Sequence, residues 1–388
     1  MSKISYVTRK LSQIAKITTG STPSTGDETN FSDEGVCWVK PDNLRGLNGV
    51  SQVKQKISAK GMLSMNMVRK GSVLVNCIGD VGKIGVADID LVTNQQINSI
   101  SFNNSLVDDR YGAYMILASE DEAKSEANSV VVPILNKGNQ SNIKYTFPES
   151  IELQKSIATY LDRKVGVIDK IITTKNHTHT HLLELRQAII TDAVLGRGSV
   201  VMRRRLKTVV DMIISKRFAQ SGDRIVTLEN VDSWNGRIVR YADYESVSGE
   251  LLEFKRGDVV FNKLRPYLAK VFFAREAGLC TSEMLILRPK TNIINPEYLF
   301  YFMLADRTIS EINNSTYGVK MPRTNWEFVG SIYIDIPSLQ EQQNIVVKVG
   351  GLLSKIDDSI NELQRSTELL TEYRSSLISN VISGKVEV

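Results

Sequence analysis

Three groupings of side chains in this 388-residue chain have types and spacings that could carry chemistry. The first is an amide run, Asn94-Gln95-Gln96. A carboxamide sets a donor beside an acceptor, which matches the N6 and N7 edge of adenine; the same residues equally suit a hydrogen-bond network at a strand edge. The second is a set of basic clusters: Arg203-Arg204-Arg205 with Lys207, Lys216-Arg217, and Lys263 with Arg265, Tyr267 and Lys270. Such side chains neutralise phosphates, and Arg can fork onto a guanine edge, although runs of this kind also serve as plain solvated surface. The third is the alternating run from His177 through His179 to His181, which holds every histidine of the chain. On a helix His177 and His181 share a face and could grip a metal; a polar layer in a helical seam, or a local loosening of the coil, is the other reading of the run.

Two further stretches suggest enzymes and fail on their residues. Asn295-Pro296-Glu297-Tyr298 resembles the Asn-Pro-Pro-Tyr loop that holds a flipped base in amino-methyltransferases. Its second proline is missing, and no glycine-rich strand-to-helix turn for a methyl donor accompanies it; Asn capping a helix with Pro in its first turn accounts for these residues. Gly82-Lys83 suggests a phosphate loop, yet Cys77 stands at the required upstream glycine and Ile84 where Ser or Thr should bind magnesium. Gly79, Gly82 and Gly85 predict a tight turn between strands instead. Cys37, Cys77 and Cys280 are too scattered to pair on a metal and are expected as reduced thiols. No catalytic constellation is left, and no metal site is assigned.

Elements able to position the remaining candidates are visible as a duplication. The segment from Gln154 to Arg197 and that from Gln342 to Lys385 align without a gap at a constant offset of 188 residues. Gln154, Ile157, Ile168, Asp169, Arg186 and Gly196 recur as Gln342, Ile345, Ile356, Asp357, Arg374 and Gly384. Ile157, Leu161, Val165, Ile168 and Ile172 advance in steps of three and four, as do Ile345, Val349, Leu353, Ile356 and Ile360. That spacing puts apolar side chains on one narrow stripe, the pattern of a helix that pairs along a seam. All nine prolines lie outside both segments, so each is expected as one uninterrupted helix of roughly 40 residues. Extending the stripe puts Lys175 and His179 at seam positions. Gly196 and Gly384 stand where a left-handed residue would stop each helix. With an apolar stripe and no partner in its own half, each helix is expected to pair with the other.

The globular parts repeat more faintly. Val68 to Val75 answers to Phe254 to Phe261, each a basic turn with glycine entering a β-branched run, and Tyr111 to Ser119 answers to the helical stretch Tyr298 to Asp306. Segments such as Ile84 to Ala87 and Val271 to Phe273 read as strands, so both parts are mixed α and β. A hydrophobic content of 42% and a charged content of 23% are ordinary for a soluble protein, and no apolar run approaches the roughly 20 residues that span a bilayer. With no apolar signal core at the start, a cytoplasmic location is expected. The formal net charge of +5 is modest, so any nucleic-acid argument rests on where the basic residues fall.

Several stretches resemble the specificity subunits of type I DNA restriction-modification systems. They are Thr18-Thr-Gly-Ser-Thr-Pro-Ser24, Val36-Cys-Trp-Val-Lys-Pro-Asp-Asn-Leu44, Gly79 to Val86, Thr93 to Asn98, Gly257 to Leu268, Ile294 to Leu299 and Ile336 to Gln342. The resemblance implies an α+β fold in which two mixed α/β target-recognition domains are separated by two long helices pairing as an antiparallel coiled coil, with an internal pseudo-two-fold duplication. It divides the chain into a first recognition domain 1–151, a first spacer helix 152–197, a second recognition domain 198–340 and a second spacer helix 341–388. One departure is visible: Pro148-Glu-Ser-Ile-Glu-Leu-Gln154 stands where the family has Pro followed by Glu-Gln, which predicts an offset or differently capped start to the first helix.

The resemblance further implies a non-catalytic subunit that reads a bipartite target in double-stranded DNA. Two modification (methyltransferase) subunits and the restriction subunits are the implied partners. No cofactor is expected in this chain, with S-adenosylmethionine, ATP and magnesium belonging to partner subunits. Candidate DNA-reading residues are Lys40, Asn43 and Arg45 beside Trp38, Lys83, and the amide run Asn94, Gln95 and Gln96 in the first domain. In the second they are Arg217, Lys263, Arg265, Tyr267, Lys320 and Arg323. Ile157, Leu161, Ile168, Ile172, Ile345, Val349, Ile356 and Ile360 are expected to form the helix seam that serves subunit docking. A specificity subunit of a fused cutting-and-methylating system and a helix-mediated protein scaffold remain as other readings of the same architecture.

Overall fold

The computed structural model describes residues 5–50, 53–128, 132–194, 202–318, 320–386 and 388. The duplicated segments are two helices, Ile151–Val194 and Leu339–Ile382, of 44 residues each. At 1.5 Å per residue each runs about 66 Å. Their starts are alike, contrary to the expectation from Pro148-Glu-Ser. In the first, the Leu153 N–H donates to the Ser150 hydroxyl at 3.2 Å; in the second, the Glu341 N–H donates to the Ser338 hydroxyl at the same distance. The extra residue between proline and serine, Glu149, is absorbed upstream, where its N–H bonds the Ser5 carbonyl and prolongs the strand pair Tyr6–Lys10 with Lys144–Pro148. A serine side chain satisfying an orphan N–H fixes the register in both halves. The second helix ends as expected, with Gly384 at a φ of 72°. Gly196, and with it the boundary at 197 and 198, lies outside the described residues.

One turn into each helix stands a fully buried glutamine. Gln154 Oε1 accepts the Asp108 N–H at 2.8 Å, while its Nε2 donates to the carbonyls of Leu106 and Pro148 at 3.0 and 2.8 Å. Gln342 repeats this with the Asn295 N–H at 2.7 Å and the carbonyls of Ile293 and Pro337 at 3.1 and 2.9 Å. Asp108 and Asn295 in turn cap the short helices Asp109–Ala118 and Pro296–Leu304. The Asn295-Pro296 pair is therefore a helix cap, as its residue types predict.

Each half builds the same antiparallel four-stranded sheet. In the first the order is Ala15–Thr19, Ile97–Phe102, Val73–Asn76 and Ile84–Val86; in the second it is Val210–Ile213, Met284–Pro289, Val259–Asn262 and Val271–Phe273. A second, mixed sheet stands beside each, of three strands in the first half and four in the second. Its parallel step pairs Trp38 with Val92 and Val39 with Thr93 in the first half, and Ile225 with Leu279 and Val226 with Cys280 in the second. Among the described residues no helix is long and apolar enough to cross a membrane.

The chain forms two compact units, and the division falls within the long helices. One comprises residues 1–174 and 366–388, the other 175–365. In the first unit Ile157, Leu161 and Val165 share a core with Ile378, Val381 and Ile382, beneath Tyr111, Tyr114 and the sheet. In the second, Ile190 and Val194 join Val346, Val349 and Leu353 beneath Tyr298 and Phe302. Of the seam residues, Ile157, Leu161, Ile168, Val349, Ile356 and Ile360 are buried, whereas Ile172 and Ile345 are half-buried. Because early residues of one helix meet late residues of the other, the pairing inside each unit is antiparallel. His179 sits in this seam, its Nε2 3.3 Å from the Gln364 amide nitrogen, whereas His177 and His181 are exposed and His181 Nδ1 lies 3.1 Å from Glu184 of its own helix, so His179 alone of the run adds a polar position to the seam.

An ion pair crosses the seam in each unit at equivalent positions. Arg374 reaches Asp169 at 2.7 Å, and Arg186 reaches Asp357 at 2.9 Å. Their settings differ: Arg374 is 22% and Asp169 45% exposed, against 6% for Arg186 and 34% for Asp357, and Arg186 also donates to the carbonyls of Trp234 and Asn235. Removing the partner of a buried cation leaves an uncompensated charge, whereas an exposed pair is already screened by water. Asp357→Ala is therefore expected to cost about 3 kcal/mol and Asp169→Ala about 1 kcal/mol or less. Urea unfolding of the two variants measures this, and equal losses would show that the difference in burial has no energetic weight.

Candidate nucleic-acid interface

In the first domain a chain of backbone bonds gathers the predicted residues. The parallel step of the small sheet places Lys40 and Asn94 at the same strand ends, where the Asn94 N–H donates to the Val39 carbonyl at 3.0 Å. Beyond Lys40, the Gly46 N–H donates to Ile84, the Asn76 N–H to Lys83, and the Cys77 N–H to Gln96, at 2.8 to 2.9 Å. Lys40, Asn43, Arg45, Lys83 and the amide run thus belong to one set of adjoining turns. Gly79 and Gly82, both with φ near the left-handed region, make the turn between the strands Val73–Asn76 and Ile84–Val86.

Within this cluster the side chains divide into structural and available. Asn43 is committed, its Oδ1 accepting the Lys40 N–H at 2.8 Å to close a turn over Pro41–Asn43. Asn94 is buried and accepts the Gln96 N–H at 3.2 Å, while its Nδ2 donates to Gln96 Oε1 at 3.0 Å. Two of the three amides therefore form the strand-edge network. Gln95 alone is exposed; its Oε1 accepts the Thr22 hydroxyl, and its Nε2 has no partner among the described residues. The Lys40 ammonium stands 4.4 Å from the Trp38 ring, whose Nε1 donates to the Ser21 carbonyl. The loop carrying Ser21 and Thr22 lies so close that a Cβ on Gly20 would fall 2.1 Å from the Asn94 carbonyl oxygen. Only glycine fits there, which explains its place in the Thr18 to Ser24 stretch.

The second domain assembles a basic cluster by the same means. The Lys263 N–H donates to the Glu283 carbonyl at 2.8 Å, the Thr324 N–H to Lys263 at 3.1 Å, and the Arg265 N–H to Pro322 at 2.7 Å. Arg323 exchanges two backbone bonds with Tyr317 and holds Glu283 at 2.8 Å through its guanidinium. Lys263, Arg265, Arg323 and the exposed Tyr267 are thereby brought together, and the exposed Lys320 belongs to the loop that the Tyr317 and Arg323 bonds close. Arg265 and Ala269, which bracket the turn Pro266–Leu268, have φ of 50° and 46°. A left-handed conformation costs a residue with a Cβ roughly 1–2 kcal/mol, so something other than backbone ease keeps an arginine at this corner.

Arg217 is placed differently. It forks onto Asp223 at 2.7 and 2.8 Å and reaches Glu253 at 3.5 Å. Hydrogen bonds from Arg217 and from the Gln220 backbone hold the Asp223 carboxyl down to about 2, so the pair stays charged through the usual carboxylate range and closes the loop between Arg217 and Asp223. Its neighbour Lys216 instead lines a hollow of about 580 Å³ with Lys263, Met212, Ile214 and Leu252. A smaller recess of about 300 Å³ adjoins it, lined by Lys263, Glu283, Tyr317, Arg323 and Trp326. Lys216, Tyr317 and Trp326 were thus missing from the candidate set; a Lys beside Arg217 and an aromatic beside Gly318 were the available signals. Cys77 and Cys280 are buried, and burial pushes both thiols up to about 12, which leaves them protonated and inert as nucleophiles.

Comparison with known proteins accords with this architecture. The family model for the type I restriction modification DNA specificity domain matches residues 3–178 and again 211–371. The chain is 22% identical over 292 residues to the type I restriction enzyme EcoDI specificity subunit of Escherichia coli, covering 66% of this chain and 65% of that relative. It is 23% identical over 337 residues to the MjaVIII specificity subunit of Methanocaldococcus jannaschii, covering 79% of this chain and 76% of that one. A chain from a structure of the type I R-M system superposes with a TM-score of 0.75 at 13% identity, over 98% of this chain and 99% of its own length. The two matched segments fall one in each half of the duplication, and the chain belongs to the type I restriction modification DNA specificity domain family.

Proposed function

We propose that this chain is a non-catalytic specificity subunit that reads a bipartite sequence in double-stranded DNA, each domain reading one half-site. The observation that carries the reading is the paired placement of polar turns: in each half, adjoining loops gather side chains suited to base edges and phosphates, next to a strand end and tied by equivalent backbone bonds. Lys40, Arg45, Lys83 and Gln95 act in the first domain, and Lys263, Arg265, Tyr267, Lys320 and Arg323 in the second, dividing between phosphates that position and bases that specify. Asn43, Asn94 and Gln96 hold the loops of the first domain in shape, while Arg217 ties its own loop to Asp223. The long helices space the half-sites and dock two methyltransferase subunits, to which restriction subunits add. S-adenosylmethionine, ATP and magnesium belong to those partners.

Two experiments test this reading. Four residues inserted after Thr173, with four more after Leu369 to keep the seam matched, add about 6 Å, slightly more than one turn, to the paired helices. At roughly 3.4 Å per base pair, the unread gap of the target should lengthen by about one to two base pairs while both half-sites stay the same. Selection from a random-sequence DNA pool by the assembled methyltransferase measures it; an unchanged gap at full activity would remove the helices from the role of spacer. Gly20→Ala forces the loop away from Asn94 and should relax one half-site only, with a loss of about 1–3 kcal/mol in the stability of its domain. A variant that binds both half-sites as before would place recognition elsewhere.

A further inference from the structure

The two candidate interfaces share one framework. The Ile97 N–H donates to Asn94 at 3.1 Å, and the Met284 N–H to Thr281 at 3.0 Å, so the amide turn 94–96 is equivalent to 281–283. Cys77 donates to Gln96 as Lys263 donates to Glu283, both at 2.8 Å. Gly79 donates to Pro133 at 3.0 Å as Arg265 donates to Pro322 at 2.7 Å. Isolated bridges join Ile78 and Asn128 to Ile134 in one half, and Leu264 and Tyr317 to Arg323 in the other. Asn136 and Asn325 then cap the helices that follow.

On this framework the side chains are of opposite kind. Where the second domain has Lys263, Arg265 and Arg323, the first has Cys77, Gly79 and Ile134. Where the second has Ser282 and Glu283, the first has Gln95 and Gln96. Glu283 pairs with Arg323 and steadies it, whereas Gln96 bonds Asn94 and leaves Gln95 outermost. The left-handed corner makes the same contrast: glycine occupies it in the first half, while the second keeps Arg265 there against the backbone preference.

We propose that the two domains read DNA by different chemistry from the same loops, the second through the cations Lys263, Arg265 and Arg323 and the first through the uncharged carboxamide of Gln95, directed at adenine. The proposal rests on the DNA-reading function above. An exposed carboxamide can accept from adenine N6 and donate to N7, and the Thr22 hydroxyl on Oε1 orients it while leaving a lone pair for the base. Lysine and arginine at this corner of the second domain displace counterions on binding, so the corner adds to the salt dependence of the complex, whereas the equivalent corner of the first domain, with Cys77, Gly79 and Ile134, adds none.

The test uses the full chain assembled with methyltransferase subunits, measuring affinity for its selected target across a salt series and base preference by pool selection. Lys263→Gln with Arg265→Gln should flatten the plot of log affinity against log salt by roughly 0.9 for each phosphate no longer neutralised, about one to two in all. Gln95→Ala should leave that slope as it is and weaken preference at a single adenine-bearing pair of the other half-site by roughly 5- to 150-fold, the range of one bidentate pairing. Gln95→Glu should move the preference at that pair toward cytosine, whose N4 amine a carboxylate accepts. An unchanged slope in the variant carrying Lys263→Gln with Arg265→Gln, or a Gln95→Ala complex with every base preference intact, would overturn the proposal. An unaltered complex that selects no bipartite sequence would instead overturn the function on which it rests.

Discussion

A buried glutamine at the head of each long helix is the interaction on which the architecture depends. Gln154 and Gln342 each accept one backbone N–H and donate to two carbonyls, so every hydrogen of the carboxamide nitrogen is used in a site closed to water. The groups they bond come from the chain entering the helix and from the loop that leads into the capped short helix beneath the sheet. A carboxamide left unsatisfied there would cost far more than a surface bond, because water cannot replace the missing partner. The helix and its domain are therefore joined in one geometry rather than hinged on a flexible turn, and the serine caps fix the register at which this happens.

A rigid join matters because the loops that carry the candidate interface have little regular structure of their own. Their shape comes from backbone bonds between segments distant in the chain, such as Cys77 with Gln96 or Arg265 with Pro322. Those bonds are repeated in both halves while the side chains on them are not. Duplication thus supplied two copies of a scaffold, and the corner held by Gly79 in one copy and Arg265 in the other shows how far the chemistry on that scaffold diverged.

Much of the plan was legible in the residues. The stripe from Ile157 to Ile172 and its copy, the absence of proline and the recurrence of Gln154 as Gln342 predict two helices, because helical periodicity is a local property of the chain. The Asn295-Pro296 cap was equally local. The offset expected of the first helix start was not observed, since one extra residue was taken up by a strand pair that involves Ser5. Arg217 and Arg265 are the same residue type in similar basic surroundings, yet one is clipped to Asp223 and the other stands exposed at a strained corner.

By itself the sequence determined the duplication, the two helices and the mixed character of each domain, since these follow from the spacing and type of residues close together in the chain. Only the tertiary structure decided which polar side chains are spent on holding loops and which are left to meet a ligand. Asn94, Gln95 and Gln96 differ by one position each, but the fold buries the first, ties the third to it and turns the second outward. Burial and hydrogen-bond partners are set by segments tens of residues away, and nothing in the residue type reports them.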